Sequence, residues 1–375
     1  MSNITYGRQF IDDDDIDAVV ETLRSEFLTT GPKVAEFERA VCEFTGSAYA
    51  VATSSATTAL HLLSLILLEK NDIVLTTPNS FLATSNSILY VGAKPRFVDI
   101  CEDGNIDLDL CEEELRQDPS IKAIYAVGFS GKMLDQTKLE HLRSAYGVTI
   151  IEDLAHALGA TWQGIKSASS QHSHASVLSF HPVKHITTFE GGMITTNNED
   201  LYKKALLLRS HGVQRRPNTS PWYYEMVTLG YNYRLSDVAA SLGISQLRKL
   251  PHFLEYRRLL ARRYDEAFAK TSIKPLYPYD ENSAYHLYVV RFDFASSKIS
   301  KEELFVRLSK MGIVLQLHYI PINSQPYYKS LGYGNERTPQ MDRYFSEAFT
   351  LPLHPSLSLE DQERVIKAVM GILFA

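Results

Sequence analysis

The chain has 375 residues, of which 45% are hydrophobic and 22% charged, with a formal net charge of −6. Its length exceeds that of a usual single domain and predicts two domains of unequal size. With no basic excess to neutralise phosphates, nucleic acid is not expected as a partner, although a local pocket for one nucleotide diphosphate stays compatible with the charge.

The acidic run Asp12–Asp15 opens an amphipathic pattern, Ile16, Val19, Val20 and Leu23, and reads as capping of a helix start. The turn 28–32 leads into a second helix over 34–44. A strand over 49–53 runs through Ser54, Ser55, Ala56 and Thr57 into a helix over 59–68. Such a start offers free backbone N–H groups to a phosphate; the plainer reading is a Ser/Thr cap. A strand over 72–76 precedes a helix from Ser80 to Leu89, in which Phe81 reads as ordinary core. A strand over 94–99 follows. The stretch with Asp103, Asn105, Asp107 and Asp109 reads as a turn and a cap, because the glycine of an EF-hand loop is misplaced.

A strand over 121–127 ends at Phe129-Ser130-Gly131-Lys132, which lacks P-loop spacing. After a helix over 139–146, the strand 148–151 runs into Glu152-Asp153. A carboxylate at the C-terminal end of an α/β strand stands where such folds bind ligands; otherwise it caps a helix over 155–158. The polar stretch 166–174 is expected to be a flexible loop. His172, His174, His181 and His185 lack a third well-placed ligand, so no metal is expected.

The centre of the pattern is LSFHPVKHITTFEGGMITTN, residues 178–197. It reads as a strand over 175–180, a tight loop carrying Lys184, and a strand over 193–196. The pair Gly191-Gly192 would let the backbone approach something bulky, and a lone lysine there suits a Schiff-base lysine. A helix over 201–209, a mobile segment 215–221 and the turn Gly230–Asp237 come next. Two helical patterns over 236–264 are expected to break at Pro251. A strand over 285–292, a helix over 301–311, a strand over 314–317 and a helix over 359–373 predict a small α/β domain. The odd number of cysteines, Cys42, Cys101 and Cys111, without a CxxC pair, fits a reducing cytoplasm. The N-terminal stretch lacks the regions of a signal peptide, and no apolar run is long enough for a bilayer, so no membrane is expected.

Ser54–Ala59, Glu152–His156, Ser179, Lys184 and Gly230–Arg234, in this order, resemble the sugar-nucleotide aminotransferases over about residues 6–355. SFHPVKHITT, EGG, RSHG and LHYIPI bring the likeness nearest to the transaminases making UDP-4-amino-4,6-dideoxy-N-acetyl-β-L-altrosamine in pseudaminic acid biosynthesis. The resemblance implies an α/β chain of PLP-dependent transferase fold type I, aspartate aminotransferase-like. It has a large domain, 1–248, with a mostly parallel seven-stranded sheet, and a smaller C-terminal α/β domain, 249–375. The N-terminal segment is a candidate to pack on the smaller one. The implied cofactor is pyridoxal 5'-phosphate (PLP), with pyridoxamine phosphate as its intermediate form.

Residue by residue, the resemblance implies that Lys184 is catalytic and holds the cofactor. Ala56 and Thr57 would cradle its phosphate, Phe81 stack on its ring, Asp153 bind the ring nitrogen, and His156 sit near the phenolic oxygen; Ser179 completes the set. Asn232 would reach the cofactor of a neighbouring subunit in a homodimer with a shared active site. Tyr6, Thr29, Arg234, His318 and Tyr319 would face the substrate, a UDP-linked 4-keto-6-deoxy-N-acetylhexosamine, with L-glutamate as amino donor. A different 4-keto sugar nucleotide, of bacillosamine or perosamine type, is the nearest alternative. A dehydratase of this fold has histidine in place of Lys184, and a non-catalytic relative would not need Lys184, Asp153 and Ser179. Phe189 departs from the family's small residue before EGG.

Overall fold

The computed structural model describes residues 3–217 and 219–374. Its centre is a seven-stranded sheet. From one edge to the other run Tyr49–Thr53, Gly192–Thr196, Ala175–Ser179, Thr149–Asp153, Ile121–Val127, Ile73–Thr76 and Lys94–Phe97. Gly192–Thr196 is antiparallel to both its neighbours, and the other pairs are parallel. Alternation of side chains along each strand sorts them to two faces. Val51, Val74, Tyr125, Ile151, Val177 and Ile194 share one core cluster with Leu60 and Leu63 of the helix Ala56–Leu67. Their neighbours Leu75, Ile124 and Ile150 pack into a cluster on the other face. Asp153, two residues beyond Ile151, and Ser179, two beyond Val177, therefore point to the face that carries the Ala56–Leu67 helix.

The second core gathers Tyr288, Val290, Leu304, Phe349, Val365 and Val369, with Ile4 from the chain's start. Its antiparallel sheet is Lys274–Pro275, Tyr288–Arg291 and Ala348–Leu351. The helix Leu359–Leu373 lies where the sequence predicts it. The expected strand over 314–317 is only Ile313–Val314, which pairs in parallel with Ile4–Thr5, while Gln316 just beyond it bridges Thr350 of that sheet. The strand Ala348–Leu351 was not foreseen, because AFTL follows directly on a helix and carries no turn signal.

One helix, Asp237–Phe268, joins the two cores and runs through Pro251 without the expected break. A proline inside a helix costs about 3 kcal/mol. Leu247, Leu250, Phe253 and Leu254 are buried on either side of it, at about 1.5–3 kcal/mol for each such side chain, and this burial wins. The position 248/249 falls inside this helix.

Two loops differ from expectation. Residues 155–159 form turns rather than a helix, with Asp153 Oδ1 accepting from the Ala155 N–H at 3.1 Å. The polar stretch 166–174 is packed in rather than loose. Ser167, Ser170 and Ser173 are buried, and the Ser170 hydroxyl donates to Thr195 O at 3.0 Å. The expected mobile segment 215–221 includes Asn218, outside the described residues.

The bulky object that Gly191-Gly192 accommodates is the chain itself. A Cβ on Gly192 would stand 2.4 Å from the backbone N of Ala56 and C of Ser55; one on Gly191 would stand 2.1 Å from Thr188 Oγ1. Gly192→Ala is expected to push the Ser55–Ala56 turn off the strand and lower stability by about 1–3 kcal/mol, read as a lower urea midpoint. An unchanged midpoint contradicts this account of the glycine.

Candidate active site

The strands Tyr49–Thr53, Thr149–Asp153 and Ala175–Ser179 end on one side of the sheet, where open α/β sheets leave a crevice. A cavity of about 700 Å³ lies there, and Lys184 and Asp153 both line it. So do Ala56, Thr57, Phe81, His156, Ser179, Tyr6, His318 and Tyr319. The last two and Tyr6 come from the chain ends that share the second core, so the cavity lies between the two cores.

Ala56 and Thr57 stand in the first turn of their helix, where N–H groups have no intrahelical acceptor. Ser55 is the N-cap, its hydroxyl accepting from the Thr58 N–H at 3.2 Å, so the cap and an anion-ready helix start coexist. Lys184 follows the strand Ala175–Ser179 by a turn in which its N–H donates to His181 O at 2.9 Å. Lys184 is half-buried and lines the cavity. Burial lowers its amine from the ordinary lysine range to about 8, against the opposing pull of Asp153 and with help from Arg257.

Asp153 is buried, and burial raises its carboxyl above the usual range. The Thr84 hydroxyl, at 2.7 Å from Oδ2, the Ala155 N–H and the charge of Lys184 act in the other direction. No cation is within hydrogen-bond reach of this carboxylate among the described residues, which suits a cationic ring nitrogen. His156 is held neutral by burial, its Nδ1 facing the Ser130 N–H at 3.4 Å and its Nε2 the Tyr319 hydroxyl at 3.1 Å. Phe81 is 61% exposed, an aromatic face with little protein against it and 6.2 Å from the Tyr319 ring. A first helix turn, a buried carboxylate, an open aromatic face and an amine of lowered pKa match the phosphate, ring nitrogen, ring face and aldehyde of PLP.

The family model for "DegT/DnrJ/EryC1/StrS aminotransferase family" matches residues 9–370. The chain belongs to this family. Among the relatives of this DegT-family chain is the UDP-4-amino-4,6-dideoxy-N-acetyl-beta-L-altrosamine transaminase of Campylobacter jejuni subsp. jejuni serotype O:23/36, strain 81-176. It is 42% identical over 374 residues, 99% of this chain and 97% of that protein. Helicobacter pylori PseC, an aminotransferase involved in the biosynthesis of pseudoaminic acid, superposes with a TM-score of 0.93 at 33% identity, covering 99% of both chains. The sugar aminotransferase Spr1654 of Streptococcus pneumoniae in its PMP-form superposes with a TM-score of 0.91 at 32% identity, covering 99% of both chains.

Three expected site residues of the DegT-family chain lie outside the cavity of the single chain. Asn232 and Thr29 are exposed, and Asn232 bridges Ser210 through the backbone. Arg234 is half-buried, with its Nε unpartnered among the described residues. Sequence reading missed Thr84 on Asp153 and His286, whose Nε2 lies 3.4 Å from Lys184 Nζ. The signal for His286 was a titratable residue inside the apolar run AYHLYVV. Among the described residues no group of three His, Cys, Asp or Glu is placed to hold a metal ion. His172 faces Glu140 at 3.0 Å, and His174 accepts from the Ile150 N–H at 3.1 Å.

The free base is the reactive form of a lysine. With a pKa of about 8, roughly a tenth of Lys184 is free base at pH 7, against roughly 0.03% for an ordinary lysine. Uptake of PLP by the apo-protein is expected to quicken about tenfold per pH step below 8 and to level off above it. Stopped-flow absorbance across pH 6–10 measures this; a rate still climbing at pH 10 contradicts the lowered pKa.

Proposed function

We propose that this chain is a PLP-dependent aminotransferase that converts a UDP-linked 4-keto-6-deoxy-N-acetylhexosamine to its 4-amino sugar in pseudaminic acid biosynthesis. L-Glutamate is the amino donor and leaves as 2-oxoglutarate. The observation that carries the reading is the cavity in which Lys184, Asp153 and the first turn at Ala56–Thr57 meet. The 42% identity to the Campylobacter transaminase supports the sugar class.

PLP supplies an electron sink that lets an amino group move between carbon centres. Ala56 and Thr57 bind its phosphate at the helix start. Asp153 would keep the ring nitrogen protonated, Phe81 would cover a ring face, and His156 and Ser179, which also line the cavity, would hold the ring's edge. Lys184 holds the cofactor between turnovers. Its free amine would take the proton from the donor Cα and, in the second half-reaction, would deliver a proton to sugar C4. A pKa of about 8 lets one amine accept and give up that proton near neutral pH. Tyr6, His318 and Tyr319 face the sugar nucleotide from the second core.

The chain works as a homodimer in this proposal. Asn232 would complete the cradle of a second copy, and Thr29 and Arg234 would contact the substrate, roles that their places outside the single-chain cavity leave open to a partner. A large domain, 1–248, and a small domain, 249–375, are part of the proposal; the helix Asp237–Phe268 would link them. Cytoplasmic residence is part of the proposal, in line with three unpaired cysteines; no helix among the described residues is long and apolar enough to cross a membrane.

The test is to incubate the PLP-loaded protein with L-glutamate and the UDP-4-keto sugar and follow the ketone-to-amine mass change. Turnover is expected for the wild type, with Asp153→Asn lowering kcat by about a hundredfold or more. Preferential turnover of another 4-keto sugar nucleotide contradicts the substrate, and no turnover of any contradicts the activity.

A further inference from the structure

We infer that His286 is a positioning residue for Lys184: its Nε2 accepts an N–H of the released lysine amine and aims the amine's lone pair into the cavity. Nε2 lies 3.4 Å from Lys184 Nζ. No other side-chain acceptor in the described residues is within hydrogen-bond reach of that amine. The imidazole ring packs against His156 with centroids 4.3 Å apart, which fixes its plane. Its Nδ1 is buried without a partner among the described residues. A buried polar atom left unpaired is destabilising, and such atoms call for an explanation. Here the ring is turned to serve Nε2, and Nδ1 is left unpaired in consequence.

The backbone that carries His286 is held with unusual completeness. Four successive carbonyls, Ser283 to His286, each accept from a side chain. Arg258 Nε reaches Ser283 O at 3.1 Å, and His185 Nε2 reaches Ala284 O at 3.1 Å. Arg257 Nη1 reaches Tyr285 O at 3.2 Å and His286 O at 3.3 Å. Gly131 allows the close approach: a Cβ there would stand 2.5 Å from the Tyr285 N and 2.8 Å from the His286 N. Two of the donors, Arg257 and Arg258, lie on the helix that links the cores, and His185 is the residue after Lys184. The position of His286 is thus tied at once to the lysine loop and to the joining helix.

Burial, with the charge of Lys184 and the nearby His156, His185 and Arg257, keeps the His286 imidazole neutral. A neutral ring can accept from the amine, and Asp153 and Arg257 are the charges that bear on Lys184 alongside it. An amine whose N–H is held has fewer orientations to search before proton transfer.

The inference rests on the aminotransferase reading only for its rate readout, so two variants are compared by two measurements. His286→Gln keeps an acceptor at the Nε2 position, and His286→Met fills similar volume with almost none. Competitive acetylation of the apo-protein, quantified by peptide mass spectrometry, gives the titration of Lys184. Steady-state kinetics give kcat and the KM for L-glutamate. With H286Q, Lys184 is expected to stay near 8 and kcat to fall no more than about threefold. With H286M, Lys184 should fall to about 7, and kcat about a hundredfold, with KM within about twofold. Should H286M not fold, His286→Asn, whose shorter amide does not reach Nζ, takes its place. An unshifted Lys184 in the acceptor-free variant, or equal shifts in both variants, overturns the inference. The titration decides even in a protein that turns over no sugar nucleotide.

Discussion

The rest of this structure depends on one constraint, the desolvation of an amine opposite a carboxylate. Lys184 stands in a crevice dry enough to bring its pKa to about 8, and Asp153 faces the same space with its own carboxyl raised by burial. Neither has a direct ion-pair partner among the described residues. Holding a half-buried amine and a buried carboxylate with no ion-pair partner disfavours the charged form of each. A fold keeps such an arrangement where a bound group completes it, and a cofactor with a cationic ring nitrogen and an electrophilic carbon does so from both ends. The same tension makes the lysine reactive, because its free base is present at neutral pH.

Meeting that constraint takes both cores. The sheet delivers Asp153, Ser179 and the Ala56–Thr57 turn to one face by simple alternation, and Gly192 lets the turn close on the neighbouring strand. The wall opposite comes from Tyr6, His318 and Tyr319, whose segments belong with the second core. The helix Asp237–Phe268 spans the two with about 48 Å of length. Arg257, fully buried on it, donates to Tyr285, His286 and Leu353 carbonyls and has no carboxylate partner among the described residues. The joint between the cores is therefore polar at its centre, and it lies directly behind the lysine.

Much of this was legible in the sequence, for physical reasons. The strand Tyr49–Thr53 and the helix Leu359–Leu373 lie where the sequence places them, the first a short run buried from Ala50 onward and the second a longer amphipathic stretch. Asp153 ends a strand and Lys184 stands in the loop after one; each alone has a plain structural reading, and their order along the chain with the other motifs singled them out. The long helix through Pro251 was not legible, because local propensity forbids it and only burial on both sides restores it. His286 was hidden for the opposite reason: its strand reads as core, and its meaning arises from residues more than a hundred positions away. The polar stretch 166–174 misled because its serines find partners on neighbouring segments inside the fold; Ser170 bonds to Thr195, and Ser173 lies 3.4 Å from Ser176.

The measurement that tests the central claim most directly is borohydride reduction of the PLP-loaded protein followed by peptide mapping in the mass spectrometer. A phosphopyridoxyl adduct on the peptide that contains Lys184, and on no other lysine, is the result this account predicts. An unmodified Lys184, or an adduct placed on another lysine, would contradict it and leave the crevice without the chemistry assigned to it.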